Sequence, residues 1–191
     1  VCGHDYHFGA RGFGNAERLT EKCRALGLGC DVIGEVKLDG VTVSSTYLRR
    51  LLKEGRMEEA VRFLGHGHII SGIVQHGDCR GRTLGLPTAN LALDASLLVP
   101  AFGVYGGWAD AGELGRFPTA VNLGVHPTVH ELSRPVAEAS LLGFSGNLYG
   151  KFLRLEFLFQ VRPEQQFSSL PELTAQIERD QQTVLHRLTG V

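Results

Sequence analysis

The stretch "HGDCRGRTLGLPTAN", residues 76–90, concentrates groups suited to binding phosphate. Gly77, Gly81 and Gly85 follow the apolar run "IISGIVQ", and glycines so placed let successive backbone N–H groups turn toward an anion. Arg80 and Arg82 add positive charge to the same loop. No Gly-Lys-Ser/Thr closes the segment, so it is not a P-loop; it ends instead in Pro87-Thr88-Ala89-Asn90. On an extended chain the side chains of Thr88 and Asn90, two residues apart, point to one face. A hydroxyl and a carboxamide oxygen there are hard, neutral ligands for a Mg²⁺ ion that keeps its waters and shares phosphate oxygens. Pro87 restricts the backbone just ahead of the pair. A glycine-rich hairpin turn leading into a surface strand has the same composition, and the residues alone leave both readings open.

Phosphoryl transfer also needs a group that orients or deprotonates the nucleophile. Glu138 stands in the apolar segment "VAEASLL", where a carboxylate is unexpected, and is the candidate base; a salt bridge to a neighbour is the alternative. Glu156 alternates with apolar residues and reads as a solvated outer residue, and Glu131 lies in a predicted loop. A second anion site is conceivable at Ser44, Ser45 and Thr46, at the start of the helical pattern "SSTYLRRLLKEG", where free N–H groups and the helix dipole favour negative charge. Arg49 and Arg50 follow one turn later, and an ordinary Ser/Thr N-cap with basic helix residues would look the same.

Two regions of different period must position these groups. In "NAERLTEKCRALGLG", Leu19, Cys23 and Leu26 recur at helical spacing, and Gly27 and Gly29 are stop signals. "CDVIGEV" is a short strand candidate, and "SSTYLRRLLKEG" and "MEEAVRFLG" are helices, the second ending at Gly65. Together they predict one βα unit followed by a helical linker. The opening "VCGHDYHFG" reads as a strand leaving straight into a loop, and with Val first the chain is expected to be part of a longer one. From His68 the period becomes two. "HIISGIVQHG", "GVYGGWAD", "FPTAVNLG", "VAEASLLGF" and "KFLRLEFLFQV" are strand candidates, which predict a small antiparallel barrel. In the last of them Leu153, Leu155, Phe157, Phe159 and Val161 alternate against Arg154, Glu156 and Gln160. A closing helix starts at the capping-box pair Ser169 and Glu172, with Pro171 in its first turn. Its predicted apolar face is Leu170, Leu173, Ile177, Val184, Leu185 and Leu188. The boundary between regions falls at residues 66 and 67.

Composition narrows the partners. Hydrophobic residues make up 43% and charged residues 20% of 191, ordinary for a globular chain, and a net charge of −1 argues against nucleic acid. No apolar run approaches the roughly 18 residues that span a bilayer, so no membrane partner is expected. Four cysteines (Cys2, Cys23, Cys30, Cys79) form no CxxC pair, which points away from a disulfide framework or zinc site and toward a reducing cytoplasm.

"HGDCRGRTLGLPTANL" resembles the signature of riboflavin kinases, and "VNLGVHPT", "EASLLGFSGNLYGK" and "RPEQQFSSLPELTAQIERD" follow in that family's order. "GHDYHFGARGFGN" and "VSSTYLRRLLKEGRMEEAVRFLG" resemble the second half of the adenylyltransferase domain of bacterial bifunctional riboflavin kinase/FAD synthetases. The resemblance implies an α/β remnant of a Rossmann-like nucleotidyltransferase in residues 1–66. Residues 67–191 would form a six-stranded antiparallel, Greek-key-like β-barrel with a C-terminal helix. It implies ATP-dependent phosphorylation of riboflavin to FMN, with ADP as the other product and Mg²⁺ as cofactor. Thr88 and Asn90 would lie at Mg-ATP, the loop from Gly77 to Gly85 over the phosphates, and Glu138 at the ribityl 5′-hydroxyl as base. Asn122 and Arg162 fall in blocks near the nucleotide and flavin. Ser44, Ser45, Thr46 and Arg49 match the phosphate-binding block of the adenylyltransferase. A longer parent is expected to convert FMN to FAD as well. This chain alone is not, because His4 and His7 lack the spacing of the HxGH motif. The family usually carries an "HLLDF"-like stretch after the glutamate; here it is "SLLGF", with Ser140 and Gly143. Weaker hydrogen bonds near the base are therefore expected, and a flavin- or nucleotide-binding remnant without turnover is the rival reading.

Overall fold

Asn15 starts the first helix, α1 (Ala16–Ala25), by accepting the Arg18 backbone N–H on its side-chain oxygen at 2.9 Å. The computed structural model that shows this describes residues 1–75, 88–94, 96–125 and 135–190, so the glycines from Gly77 to Gly85, with Arg80 and Arg82, lie outside the described residues. The chain divides into two compact units, Val1–Ser45 and Thr46–Val191.

In the first unit, β1 (Cys2–Gly3) and β4 (Val32–Ile33) pair in parallel, with α1 between them in sequence, as a βαβ unit requires. The expected strand "CDVIGEV" thus shrinks to two residues. β2 (His7–Phe8) pairs with β3 (Gly14–Asn15), and β5 (Lys37–Leu38) with β6 (Val41–Thr42). The last hairpin turns on Asp39 and Gly40 at φ 49° and 76°, the conformation that an Asp-Gly type I′ turn needs. Phe13, Leu26, Leu28, Ile33 and Val36 are all exposed, a large apolar surface for so small a unit.

The second unit opens, from Thr46, with all but the first residue of α2 (Ser45–Lys53) and with α3 (Met57–Leu64), joined at Gly55 and ended by Gly65, both left-handed. Leu51, Leu52, Met57 and Ala60 are almost completely buried, α3 packs on the barrel strands, and Leu52 O accepts the Ala101 N–H at 2.9 Å. By compactness, then, the helical linker goes with the barrel.

The barrel strands are β7 (His68–Ile73), β8 (Ala89–Ala92), β9 (Gly103–Asp110), β10 (Arg116–Val125), β11 (Pro135–Leu141) and β12 (Phe152–Pro163). They form one antiparallel sheet in the order β7-β12-β9-β10-β11-β8, a Greek-key-like arrangement. A bridge between Gln75 and Asn90, with the Gln75 N–H donating to Asn90 O at 2.9 Å, joins its two edges and closes it. Ile70, Leu91, Tyr105, Val121, Leu123, Ala137, Leu153, Leu155 and Phe157 fill the interior, the larger ones worth about 1.5–3 kcal/mol each. Burial pushes the Tyr105 phenol up to about 12, while its hydroxyl donates to Ala101 O at 2.5 Å.

The unbroken alternation expected along β12 fails at Phe159. A register shift between Phe157 and Phe159 leaves Phe157 against Tyr105 inside but puts Phe159 with Ala120 and Val184 in a second small core. That core lies under α4 (Leu170–Thr189). A Cβ at Gly106 would stand 2.3 Å from the Phe159 ring and 2.9 Å from Val184, so only glycine lets helix and sheet approach this closely. Ser169 caps α4 by accepting the Glu172 N–H at 3.3 Å, but the Glu172 carboxylate reaches back to Ser168 N (3.0 Å) and Oγ (2.7 Å) rather than to Ser169. The predicted apolar face is also corrected: Leu170 and Leu185 are exposed at 64% and 37%, and the stripe from Leu173 through Ile177 to Val184 runs instead through Asp180 and Gln181. No helix among the described residues is long and apolar enough to cross a membrane.

His68, which opens β7, gives the barrel a pH dependence. Its Nε2 lies 3.1 Å from Leu98 O, and burial, reinforced by nearby His66 and opposed by that hydrogen bond, lowers its pKa from 6.5. The folded state therefore prefers neutral imidazole. Stability is fully present above pH 6.5 and falls with pH until the folded value is passed, because the unfolded chain takes up the proton first. Melting temperatures between pH 5 and 7.5 should drop more steeply for the wild type than for His68→Gln. Parallel curves would refute the assignment.

Candidate active site

Four of the residues singled out in the sequence lie on one line across the barrel. Asn90 on β8 is opposite Glu138 on β11, which is opposite Asn122 on β10. Asn122 is opposite Val104 on β9, and Val104 is opposite Arg162 on β12. Directly opposed residues share a face, with Cβ atoms about 4.5–5.5 Å apart. Their sequence neighbours Leu91, Ala137, Ala139, Val121 and Leu123 are buried inside, so the line runs along the outer face. Strand pairing thus brings together groups up to 72 positions apart, between Asn90 and Arg162.

The polar centre of this line is built to accept hydrogen bonds or a cation. Asn122 Nδ2 lies 3.5 Å from Glu138 Oε2, at the outer limit of a hydrogen bond. Asn90 Oδ1 is buried and has no hydrogen-bond partner among the described residues. Such an acceptor costs about 1–3 kcal/mol unless something fills it. A carboxylate on the adjoining strand makes that something a cation or a hydroxyl donor. Thr88, half-buried just ahead of β8, is two residues from Asn90 on the same run. Among the described residues no three His, Cys, Asp or Glu side chains come together as a metal cluster.

α4 closes one side of the line. Arg162 Nε donates to both oxygens of Asp180, at 3.2 and 2.9 Å, and Gln176 Nε2 donates to Asp180 Oδ1 at 2.8 Å. Arg162, read from sequence as near the nucleotide or flavin, thus has an internal partner on the helix. Gln181 Nε2 donates to Ser140 Oγ at 3.0 Å, so the serine that departs from the family pattern gains a hydrogen bond here. Gly143, the second departure, sits at φ 80° with open space around it and makes the turn after β11.

A family model described as Flavokinase: Riboflavin kinase matches residues 64–188. The chain belongs to the riboflavin kinase family. It is 36% identical over its whole length to a bifunctional riboflavin kinase/FMN adenylyltransferase of Bacillus subtilis, and 37% identical over 96% of its length to one of Escherichia coli K12. The chain spans 60% and 58% of the length of these two relatives. A crystal structure described as a macrolide-efflux protein from Streptococcus pneumoniae matches 96% of this chain and 59% of its own with a TM-score of 0.80, at 28% identity. On this riboflavin kinase barrel, Asn90, Glu138 and Asn122 stand together, and Ser45, Thr46 and Arg49 lie on α2, with Ser44 immediately before it. Sequence reasoning missed Val104, Asp180 and Gln181. The last two were legible as polar interruptions of a helical stripe, Asp180 four residues before Val184 and Gln181 four after Ile177.

Proposed function

We propose that this chain transfers the γ-phosphoryl group of ATP to the 5′-hydroxyl of riboflavin, giving FMN and ADP, with residues 67–191 as the kinase domain. The observation that carries the reading is the line Asn90–Glu138–Asn122 with its buried carboxamide oxygen, which has no hydrogen-bond partner among the described residues, on a barrel of this family. Glu138 takes the proton from the hydroxyl as its oxygen forms a bond to phosphorus and ADP departs. Asn122 holds the carboxylate from the neighbouring strand.

The donors fit Mg²⁺: Asn90 Oδ1 is a hard, buried oxygen without a hydrogen-bond partner among the described residues, and Thr88 offers a hydroxyl on the same run. When bound, the ion would neutralise charge on the phosphates. The glycines at 77, 81 and 85, with Arg80 and Arg82, cover those phosphates in this reading. Arg162 frames the far end of the line. Residues 1–66 belong to the FMN adenylyltransferase part of a longer cytoplasmic protein that also makes FAD, with Ser44, Ser45, Thr46 and Arg49 at its phosphates. The names of the relatives support this.

The test is FMN formation from riboflavin and ATP, with and without Mg²⁺, followed by chromatography. FMN and ADP should accumulate in equal amounts, and only with the metal. Riboflavin that binds but stays unphosphorylated with Mg-ATP present would make the chain a binding remnant instead.

A further inference from the structure

We infer that Gln181 is a positioning residue for the proposed base, acting through Ser140; the inference rests on the kinase reading above. Ser140 and Glu138 are two residues apart on β11, so their side chains leave the same face, about 7 Å apart along the strand. The pairing of β11 with β8 stops at Ala139↔Ala89, whereas its pairing with β10 continues to Leu141. Among the described residues, the ladder from Ser140 onward therefore holds the strand from one side. Two contacts make up the difference: Thr119 Oγ1, completely buried, donates to Ser140 O at 3.0 Å, and Gln181 Nε2 donates to Ser140 Oγ at 3.0 Å. The second comes from α4, which is fixed one residue earlier by the Asp180–Arg162 pair and one turn later by Val184 in the core with Phe159. α4 thus holds β11 on the face from which Glu138 projects, two residues beyond it.

Two readouts separate this from a merely structural contact. Hydrogen exchange at the amides of residues 139–141 reads the grip itself. Exchange should quicken in Ser140→Ala and Gln181→Ala but not in Ser140→Thr, which keeps the hydroxyl. Turnover reads the consequence. Gln181→Ala should lower kcat about two- to tenfold, the range of one ordinary hydrogen bond, with KM for ATP unchanged. The same change placed on Glu138→Gln should lower kcat no further, because the base it positions is already gone. An equal loss in both backgrounds would overturn the inference, as would unchanged exchange in Gln181→Ala. A wild type that makes no FMN would count against the kinase reading, while the exchange measurement would still decide whether the grip exists.

Discussion

Glu138→Gln is expected to lower kcat for FMN formation by about 10²-fold or more while leaving KM for ATP and the melting temperature nearly unchanged. Glutamine has the shape of glutamate, and its carbonyl oxygen can still accept from Asn122 Nδ2, so the contact between β10 and β11 survives. What disappears is the capacity to take a proton. A hydroxyl attacking phosphorus then carries its proton into the transition state, and only a group poised there feels the loss. Glu138 is half-buried, and the melting temperature serves as the control for folding. A variant keeping a third or more of the wild-type rate would remove Glu138 from the role of base. A variant with unchanged kcat but raised KM would make Glu138 a binding residue instead.

Five of the six barrel strands were legible because β-branched, aromatic and small apolar residues alternate between glycine and proline turns; the four-residue β8 (Ala89–Ala92) is too short to show that period and was not among the strand candidates. The site was legible by residue type and not by geometry. Nothing local to Asn90, Glu138, Asn122 or Arg162 says that they fall on one line, because inter-strand register is set by the turns and by packing of the interior around Leu91, Val121 and Ala137. Phe159 was misread for a related reason. Its change of face follows from a bulge opposite Gly106 and Gly107, where the chains approach so closely that a Cβ on Gly107 would lie 1.8 Å from Glu156 O. A period-two rule cannot anticipate a backbone contact on another strand. Asp180 was hidden differently. Its place in the helical stripe was clear, but a charged residue there reads as an interruption until Arg162 is known to meet it.

That meeting has the largest expected effect on stability. Arg162→Met should destabilise the folded chain by about 3–5 kcal/mol, read as a shift in the urea midpoint, because it strands the Asp180 carboxylate with its side chain 5% exposed. Gln176 would remain as a neutral donor, which is too little to compensate a buried charge. The reverse change, Asp180→Asn, should be milder. The Arg162 side chain is 17% exposed, keeps its contact to Pro163 O at 3.2 Å, and has a stem long enough to bring its charge toward water. The double variant Arg162→Met/Asp180→Leu should recover most of the loss, since apolar groups of similar size can replace a buried pair without leaving a charge behind. If the double variant is as unstable as Arg162→Met alone, the damage comes from lost shape and not from the stranded charge. If Arg162→Met costs under about 1 kcal/mol, the pair behaves as a surface ion pair does. The anchoring of α4 would then rest on Val184 and its apolar neighbours, and the helix would hold the base strand without help from Arg162.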